Sequence, residues 1–434
     1  MSIPISITNY FNNMKTYNII GRSRIHLLDL IRGTKIFQVL RELKQQQYLS
    51  KEALNEIRTK RFNHIFQLAK TSTTYYKNSI TYDALEVLTK DTIRAHYNEL
   101  ISSSYKKKLF PKGTGGSTGT PLIYLTTIEA KTYMWAGLLL SWEIAGYEFG
   151  DKVAFVAGTS LIKNDFRHMI FHKILNVDSY STYTLNDSNI LTYIKKLQRS
   201  KTNIIFGYPT ALNIIATYIH KNGPFAFPYL KGIVSSAEVM TEANRTNISR
   251  AFNVEVYNQY GCNEAGISAF ECEHHRLHLI NTSAFYEVDC DNNFLVTNLI
   301  NEGFIIMKYF TGDRIEFSKE ENCPCKRNFP IIKNVIGRSY DIVTDVNNNI
   351  VHAAFFNILF RQDETIKQFQ IMFDKKAITI YLNVESSKKD TSYYNKYLDV
   401  IKKHLYFNEY KLVINAPFLK SENAKHRYVI NAAS

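Results

Sequence analysis

The sequence predicts an α/β protein: a large N-terminal domain with parallel and mixed sheets, then a small α+β C-terminal domain. Three observations point there. Through the middle of the chain, short apolar runs alternate with segments of helical period, the pattern of a parallel layer. Each run ends in a turn rich in glycine, hydroxyl or amide side chains, where open α/β sheets bind ligands. From about Asp345 the pattern shifts to the closely spaced strands and helices of a compact second unit. The 434 residues leave room for two or three domains, and we place the two as 1–340 and 341–434.

Taken in order, Ser50–Asn78 reads as a helix from the spacing of Ile57, Phe62, Ile65, Phe66 and Leu68. Leu88–Leu100 reads as another, with Thr89 or Asp91 as its cap. Ile123–Thr126 is a strand and Glu129–Ala145 a strongly apolar helix. Strands follow at Val153–Ala157, Asn203–Phe206, Gly232–Ser235 and Val254–Asn258, with helices at Asn189–Gln198, Ala211–His220 and Thr241–Phe252. The polar groups after Ala157, Phe206, Ser235 and Asn258 then face one cleft. Tyr286–Val343 reads as β-rich. Beyond the Asp345–Asn349 turn, the expected elements are a helix near His352–Phe360, strands at Gln368–Phe373 and Ala377–Val384, a helix at Ser392–Leu405 and a strand at Lys411–Asn415.

One loop dominates the chemistry. Lys112-Gly113-Thr114-Gly115-Gly116-Ser117-Thr118-Gly119-Thr120-Pro121 packs glycines and hydroxyls together. Glycine lets backbone N–H groups turn toward an anion, and the hydroxyls of Thr114, Ser117 and Thr118 add donors. No Gly-Lys-Ser/Thr follows, so it is not a Walker A loop, and Thr118 stands where a dinucleotide fingerprint needs its third glycine. Four more segments accompany it: Tyr257-Asn258-Gln259-Tyr260-Gly261-Cys262-Asn263-Glu264, Tyr309-Phe310-Thr311-Gly312-Asp313, Gly337-Arg338-Ser339-Tyr340-Asp341, and Leu419–Arg427. The first two are each expected to follow a strand.

With the glycine loop, these segments resemble in order and spacing the adenylate-forming superfamily, which includes acyl- and aryl-CoA ligases. The closer resemblance, covering about residues 50–430, is to phenylacetate–CoA ligase-like proteins and, among them, to the CapK-type proteins of capsule biosynthesis. Phe62–Lys77 looks like their N-terminal helix, and Ser235-Ser236-Ala237-Glu238 like their adenine-side loop. The resemblance implies an adenylate-forming N-terminal domain and a mobile C-terminal domain. A carboxylate attacks the α-phosphate of ATP, pyrophosphate leaves, and the acyl-adenylate passes to CoA, a carrier thiol or an amine on a sugar. The loop would hold the β- and γ-phosphates, and Ala237, Glu238, Asn258, Tyr260, Gly261 and Asn263 would line the nucleotide. Glu264 would help hold Mg²⁺, a hard cation that takes oxygen ligands. Asp313 would accept the ribose hydroxyls, and Arg338 would add charge near ribose and phosphates. Lys425 would neutralise the α-phosphate under attack. Lys420 is its rival, but Arg427 and Val429 fit the family's Gly-Lys-x-Arg pattern better around Lys425.

Three departures bear on the second half-reaction and the α-phosphate contact. Asn263 stands for the usual Thr or Ser, Ala424 for the glycine before the lysine, and Tyr340 for the hinge Asp, with Asp341 one later. An adenylyltransferase that stops at an AMP adduct, and a catalytically silent scaffold of a polysaccharide complex, are the alternatives.

The five cysteines are too few and too unevenly placed for a disulfide framework. Cys272, His278, Cys323 and Cys325 make a closed tetrahedral set of three thiolates and an imidazole, the pattern of structural Zn²⁺. Some phenylacetate–CoA ligase-like proteins carry zinc in these places. His274 and His275 are rival ligands; His278 is preferred for its place in the family's Leu-His pattern. Cys262 and Cys290 read as packing. His168 and His172 lack the intervening Glu of a zinc-protease motif, Met169 lying between them.

The net charge of +14 is spread along the chain, and its densest run, Lys106-Lys107-Lys108, leads into the glycine loop. No zinc-finger or RNP motif accompanies it, so no nucleic-acid partner is expected. Ala136–Trp142 and Ala353–Phe360 are too short to span a membrane, and Met1–Arg22 has no signal-peptide core. A soluble cytoplasmic protein is expected, with peripheral contact to a polysaccharide complex as its membrane-side option. Its substrate is expected to be a carboxylic acid, held among Tyr133–Trp142, Val156–Leu161, Tyr208-Pro209 and Tyr257–Gln259.

Overall fold

The computed structural model describes residues 19–114, 122–157, 172–181, 185, 187–238, 240–290, 292–320, 322–338, 342–347, 349–352, 355–356, 359–360, 363, 365–384, 390–417 and 429–432. Two helices precede the expected ones, α1 (Ile19–Arg32) and α2 (Ile36–Gln46). In α2, Ile36, Val39, Leu40 and Leu43 bury one stripe, a helical period masked by its polar surroundings. Helix α3 (Lys51–Ser72) starts where Ser50 accepts a hydrogen bond from the Ala53 amide. It stops short of the expected Asn78, because Thr73 turns extended and bonds the Ala69 carbonyl through its hydroxyl (2.8 Å). The expected helix at Leu88–Leu100 is divided. Thr89 caps α4 (Lys90–Ala95), a 3₁₀ turn covers Tyr97–Leu100, and Leu88 instead bridges to Tyr309.

Strands β1 (Phe110–Gly113) and β2 (Ile123–Thr126) form an antiparallel hairpin, followed by α5 (Ile128–Ile144). Then come β3 (Val153–Ala157), β4 (Val177–Ser181), α6 (Asp187–Arg199), β5 (Ile204–Gly207), α7 (Pro209–Asn222), β6 (Gly232–Ser236), α8 (Glu242–Phe252) and β7 (Val256–Cys262). The antiparallel part adds β8 (Ile267–Glu271), β9 (Leu277–Leu279), β10 (Ala284–Val288), β11 (Asn293–Asn298), β12 (Tyr309–Phe317) and β13 (Ile331–Arg338). Among the described residues these make one eleven-stranded sheet in the order β10-β11-β12-β13-β9-β8-β7-β6-β5-β3-β4. Pairing is parallel from β4 to β7 and antiparallel from β7 to β10.

The parallel half is buried on both faces, as such sheets must be. Alternation sorts its side chains. Val153, Phe155, Ile204, Phe206 and Val234 pack with α5, α1 and α2. Ala154, Val156, Ile205, Ile233 and Val256 pack with α6, α7 and α8. The antiparallel half shares a core with Ile65 and Ala69 of α3 and with the β1–β2 hairpin.

Toward the C-terminus lie β14 (Ile342–Thr344), β15 (Ile350–His352), β16 (Ile366–Phe373), β17 (Ala377–Val384), α9 (Asn395–Lys402), β18 (Glu409–Ile414) and β19 (Val429–Asn431). The last four strands form a sheet in the order β18-β17-β16-β19. His352, expected in a helix, is a strand residue paired with Ile342. The expected Ser392–Leu405 helix is a 3₁₀ turn, Thr391–Tyr394, running into the shorter α9. Val343, Phe356, Phe360, Ile371, Ile380, Tyr394, Ile401 and Val429 share one apolar cluster. The Asp345–Asn349 turn is held within this unit, since Asp345 accepts from the Asn347, Asn349 and Tyr406 amides. No described helix is long and apolar enough to cross a membrane.

Candidate functional site

The glycine loop is carried by a hairpin. Gly113 pairs with Ile123, and beyond that pair the Thr114 amide donates to the Leu122 carbonyl (2.9 Å). The Leu122 amide donates in return to Thr114 Oγ1 (3.0 Å). Both bonds cinch the neck, so the loop has a fixed base. Gly115, Gly116, Ser117, Thr118 and Gly119 lie outside the described residues, as do Lys425, Lys420, His168 and the Ser339–Asp341 segment.

At the carboxyl ends of the parallel strands, Ser235 and Asn258 are cross-strand partners, with Ser235 Oγ donating to Asn258 Oδ1 (3.3 Å). Ser236 Oγ donates to Gln259 Oε1. Ala237 leaves β6 with φ 72°, a left-handed backbone uncommon for a residue with a Cβ, and Glu238 follows it. Such strain is concentrated where a chain is shaped for a ligand.

The Tyr257–Glu264 motif differs from expectation. It does not follow a strand ending at Asn258; β7 runs on to Cys262 and contains Asn258, Tyr260 and Gly261. The reason is its second neighbour. Antiparallel β8 pairs Gln259–Cys262 with Phe270–Ile267 and extends the strand past its parallel partner β6. Tyr309–Asp313 likewise lies within β12 rather than after a strand.

Asn263 and Glu264 sit in the turn that follows β7. Gly266 closes the turn at φ 68°, and a Cβ there would come within 2.5 Å of Asn298 Nδ2. That amide is needed in place, because it donates to the Glu264 carbonyl (3.3 Å). The Glu264 side chain is 5 % exposed. Its Oε1 accepts from Tyr309 Oη (3.3 Å), while Oε2 accepts no hydrogen bond among the described residues. Asp313 Oδ2 accepts from Tyr260 Oη (2.7 Å). Tyr309 and Asp313 both lie on β12, four residues apart across a register irregularity at Phe310–Arg314, so this strand supplies the partner of one carboxylate and the other carboxylate itself. Arg338 is the cross-strand partner of Asp313 on β13.

The hairpin shares an apolar cluster with the residues around this group, Leu122 and Tyr124 packing with Cys262, Ala265 and Tyr309. Burial lowers the Lys112 pKa to about 8, against the opposing pull of the Glu264 carboxylate. Tyr124, the cross-strand partner of Lys112, is buried, and its hydroxyl pKa is raised by burial and by the Glu264 and Cys262 charges. Both side chains therefore sit within electrostatic reach of Glu264.

The expected metal ligands do converge. One donor atom each from Cys272, His278, Cys323 and Cys325 lies within 4.8 Å of the others, and all four residues are buried. Cys272 Sγ and Cys323 Sγ are 3.6 Å apart, and Cys325 Sγ is 3.3 Å from His278 Nε2. A tetrahedron with Zn–S bonds of about 2.3 Å has edges of about 3.8 Å, so the spacing fits. His278 Nδ1 is 3.0 Å from the Phe329 carbonyl oxygen, which fixes the ring with Nε2 facing the thiols. Two tight turns present the cysteines: the His275 amide donates to the Cys272 carbonyl, and the Lys326 amide to the Cys323 carbonyl (both 2.9 Å). Of the rival ligands, His275 belongs to a different network, and His274 presents its backbone amide to Cys272 Sγ (3.4 Å).

That second network was not foreseen in the sequence. Glu271, adjacent to Cys272, takes a two-pronged ion pair from Arg245 (2.7 and 2.9 Å) and also accepts from the Asn258 amide (2.8 Å). His275 Nδ1 lies 3.4 Å from the same carboxylate, with its ring stacked on Tyr257. Tyr309 as partner of Glu264, and Lys112, were also missed as site residues. Each depends on strand register, which sequence spacing alone does not reveal.

No family model matches the chain. In sequence it is similar to Protein CapK of Staphylococcus aureus, 27% identical over 388 residues that cover 84% of each chain. In structure it is similar to 2-hydroxyisobutyryl-CoA ligase in complex with 2-HIB-AMP and CoA, with a TM-score of 0.61 at 15% identity over 89% of this chain and 91% of that one. The same ligase in the postadenylation state with R3-HIB-AMP gives 0.59 at 15% identity over the same shares. The chain is thus a CapK homologue built on the fold of the adenylate-forming CoA ligases.

Proposed function

We propose that the chain activates a carboxylic acid with ATP, forming an acyl-adenylate and pyrophosphate, and passes the acyl group to CoA or another acceptor. One observation carries this reading. Tyr309 bonds the Glu264 carboxylate and Tyr260 bonds Asp313, both around β12, and Lys112 of the hairpin that bears the glycine loop lies within electrostatic reach of Glu264.

The roles follow from the chemistry of the groups. Thr114, Ser117, Thr118 and the loop amides receive the β- and γ-phosphates. Asp313, oriented by Tyr260, accepts the ribose hydroxyls through its remaining lone pairs. Arg338, beside Asp313 in the sheet, supplies positive charge. Glu264 has a carboxylate oxygen to spare and suits Mg²⁺, which would neutralise phosphate charge when bound. Lys425 meets the charge that builds at the α-phosphate. Catalysis is then positioning and charge stabilisation. Cys272, His278, Cys323 and Cys325 hold a structural Zn²⁺. The polypeptide divides near 340, and the C-terminal unit that carries Lys425 moves between half-reactions. The similarity to CapK supports an acceptor in surface-polysaccharide assembly, reached from the cytoplasm, where ATP is supplied.

Acid-dependent exchange of labelled pyrophosphate into ATP, run over a carboxylic-acid library with and without CoA, tests the reading. Exchange with at least one acid is expected. A chain that binds ATP but supports no exchange with any acid would contradict it.

A further inference from the structure

Strand β1 turns Phe110 and Lys112 to one face, and around that face the structure collects cations. Lys131, from α5, places its ammonium 3.2 Å from the Phe110 ring centroid, and Lys108 stands 5.6 Å from the same ring. Lys112 Nζ is turned inward onto Met134 Sδ (2.7 Å), one helical turn from Lys131. Among the described residues neither Lys112 nor Lys131 has a carboxylate within ion-pairing distance. Such groups are costly to bury unless an anion joins them. Both ammonium groups titrate near 8: Lys112 through burial, Lys131 through burial and then the nearby charges of Arg32, Lys112 and Lys108.

From this geometry we infer that Lys112 and Lys131 line a recess that takes the polyphosphate tail of the bound nucleotide. The inference rests on the adenylation reading and extends it to Lys112, at the entrance of the glycine loop, and to Lys131, outside it. Three features select a polyphosphate. Lys112 is two residues before Thr114, so its side chain serves the same ligand as the loop. Glu264, the proposed Mg²⁺ ligand, lies within electrostatic reach of Lys112, so the anion must answer a metal and two ammonium groups together. A single carboxylate carries too little charge for that, whereas a triphosphate tail has the charge and the length. The residue after Pro121 is Leu122, so the loop supplies no lysine on its far side.

Titration calorimetry of the full chain with Mg²⁺, using ATP, AMP and CoA in turn, tests the recess on wild type, Lys112→Met, Lys131→Met and Lys112→Arg. Methionine suits the apolar setting of Lys112, and matching melting curves show that each variant folds. Loss of one buried charge-assisted bond predicts ATP binding weaker by about 10- to 100-fold in Lys112→Met and less in Lys131→Met. AMP and CoA binding are expected to stay within about threefold of wild type, and Lys112→Arg to recover most of the ATP affinity. Wild-type ATP affinity in both methionine variants overturns the recess, and so does a loss confined to CoA. A wild-type chain that binds neither ATP nor AMP fails the adenylation reading itself, a result distinct from either.

Discussion

Removing the proposed metal from the Cys272–His278–Cys323–Cys325 cluster tests a large local contribution to stability. The apolar cluster at this point consists of the three cysteines and Ile331. Burying the Ile331 side chain contributes only about 1.5–3 kcal/mol, too little to order two turns that carry exposed and charged residues. A structural zinc contributes about 10–16 kcal/mol of apparent binding energy at neutral pH, comparable with the whole stability of a typical domain, about 5–15 kcal/mol. The cluster also anchors a second layer: the Arg327 guanidinium donates to Gln47 Oε1 (2.8 Å), and the Asn328 amide to the Gln47 carbonyl (2.7 Å). Elemental analysis of protein grown in metal-replete medium is expected to give about one zinc per chain. Chelation, or Cys325→Ser, is expected to lower the melting midpoint by about 5–15 °C and to raise amide exchange at 45–49 and 322–331 first. Full-length protein free of zinc, with a melt indifferent to chelator, would refute the metal and leave the cysteines as packing.

Lys425→Ala is expected to slow adenylation by about 10²–10³, the scale of one lost transition-state charge partner, with Lys420→Ala near wild type; the reverse ranking in pyrophosphate exchange would move the role to Lys420. Asp313→Asn is expected to raise the KM for ATP, and Tyr260→Phe to raise it less, since the phenol only orients the carboxylate (2.7 Å); equal effects on kcat with KM unchanged would count against ribose binding. Asp363 gives a pH prediction. Burial would raise its pKa, but hydrogen bonds from the Thr365 hydroxyl and amide and the Tyr397 hydroxyl win and pull it from 3.8 to about 2. Because the folded value is the depressed one, this stabilisation is full above the unfolded pKa and vanishes as pH falls from about 4 through 2. Asp363→Asn should therefore cost about 2 kcal/mol at pH 7 in denaturant melts of the full chain, a deficit that closes toward pH 2; a pH-independent deficit would show that packing is responsible.

The parallel half of the sheet was legible because its signals are local. Val153–Ala157 falls on β3 residue for residue, and α8 starts within one residue of its expected position, since Thr241 caps it through its own hydroxyl. The candidate metal ligands were legible from the Cys-x-Cys spacing together with the resemblance, whose Leu-His pattern singled out His278 over His274 and His275. What escaped was set by partners distant in sequence. β7 looks finished at Asn258 until β8 pairs with its other edge. β4, with Asp178 and Ser179 between its apolar residues, is a strand because β3 lies beside it. The Tyr309–Glu264 hydrogen bond, and the approach of Lys112 to within electrostatic reach of Glu264, link segments whose distance in sequence gives no hint of proximity.

The carboxylate of Glu271 has a wider consequence. It stands next to Cys272 of the candidate metal cluster, yet one of its oxygens receives the Asn258 amide in β7, the strand of the proposed nucleotide site. On the proposed reading, a change at Arg245 or in the 272–276 turn reaches the nucleotide side of the sheet through one carboxylate, without replacing any residue assigned to the ligand.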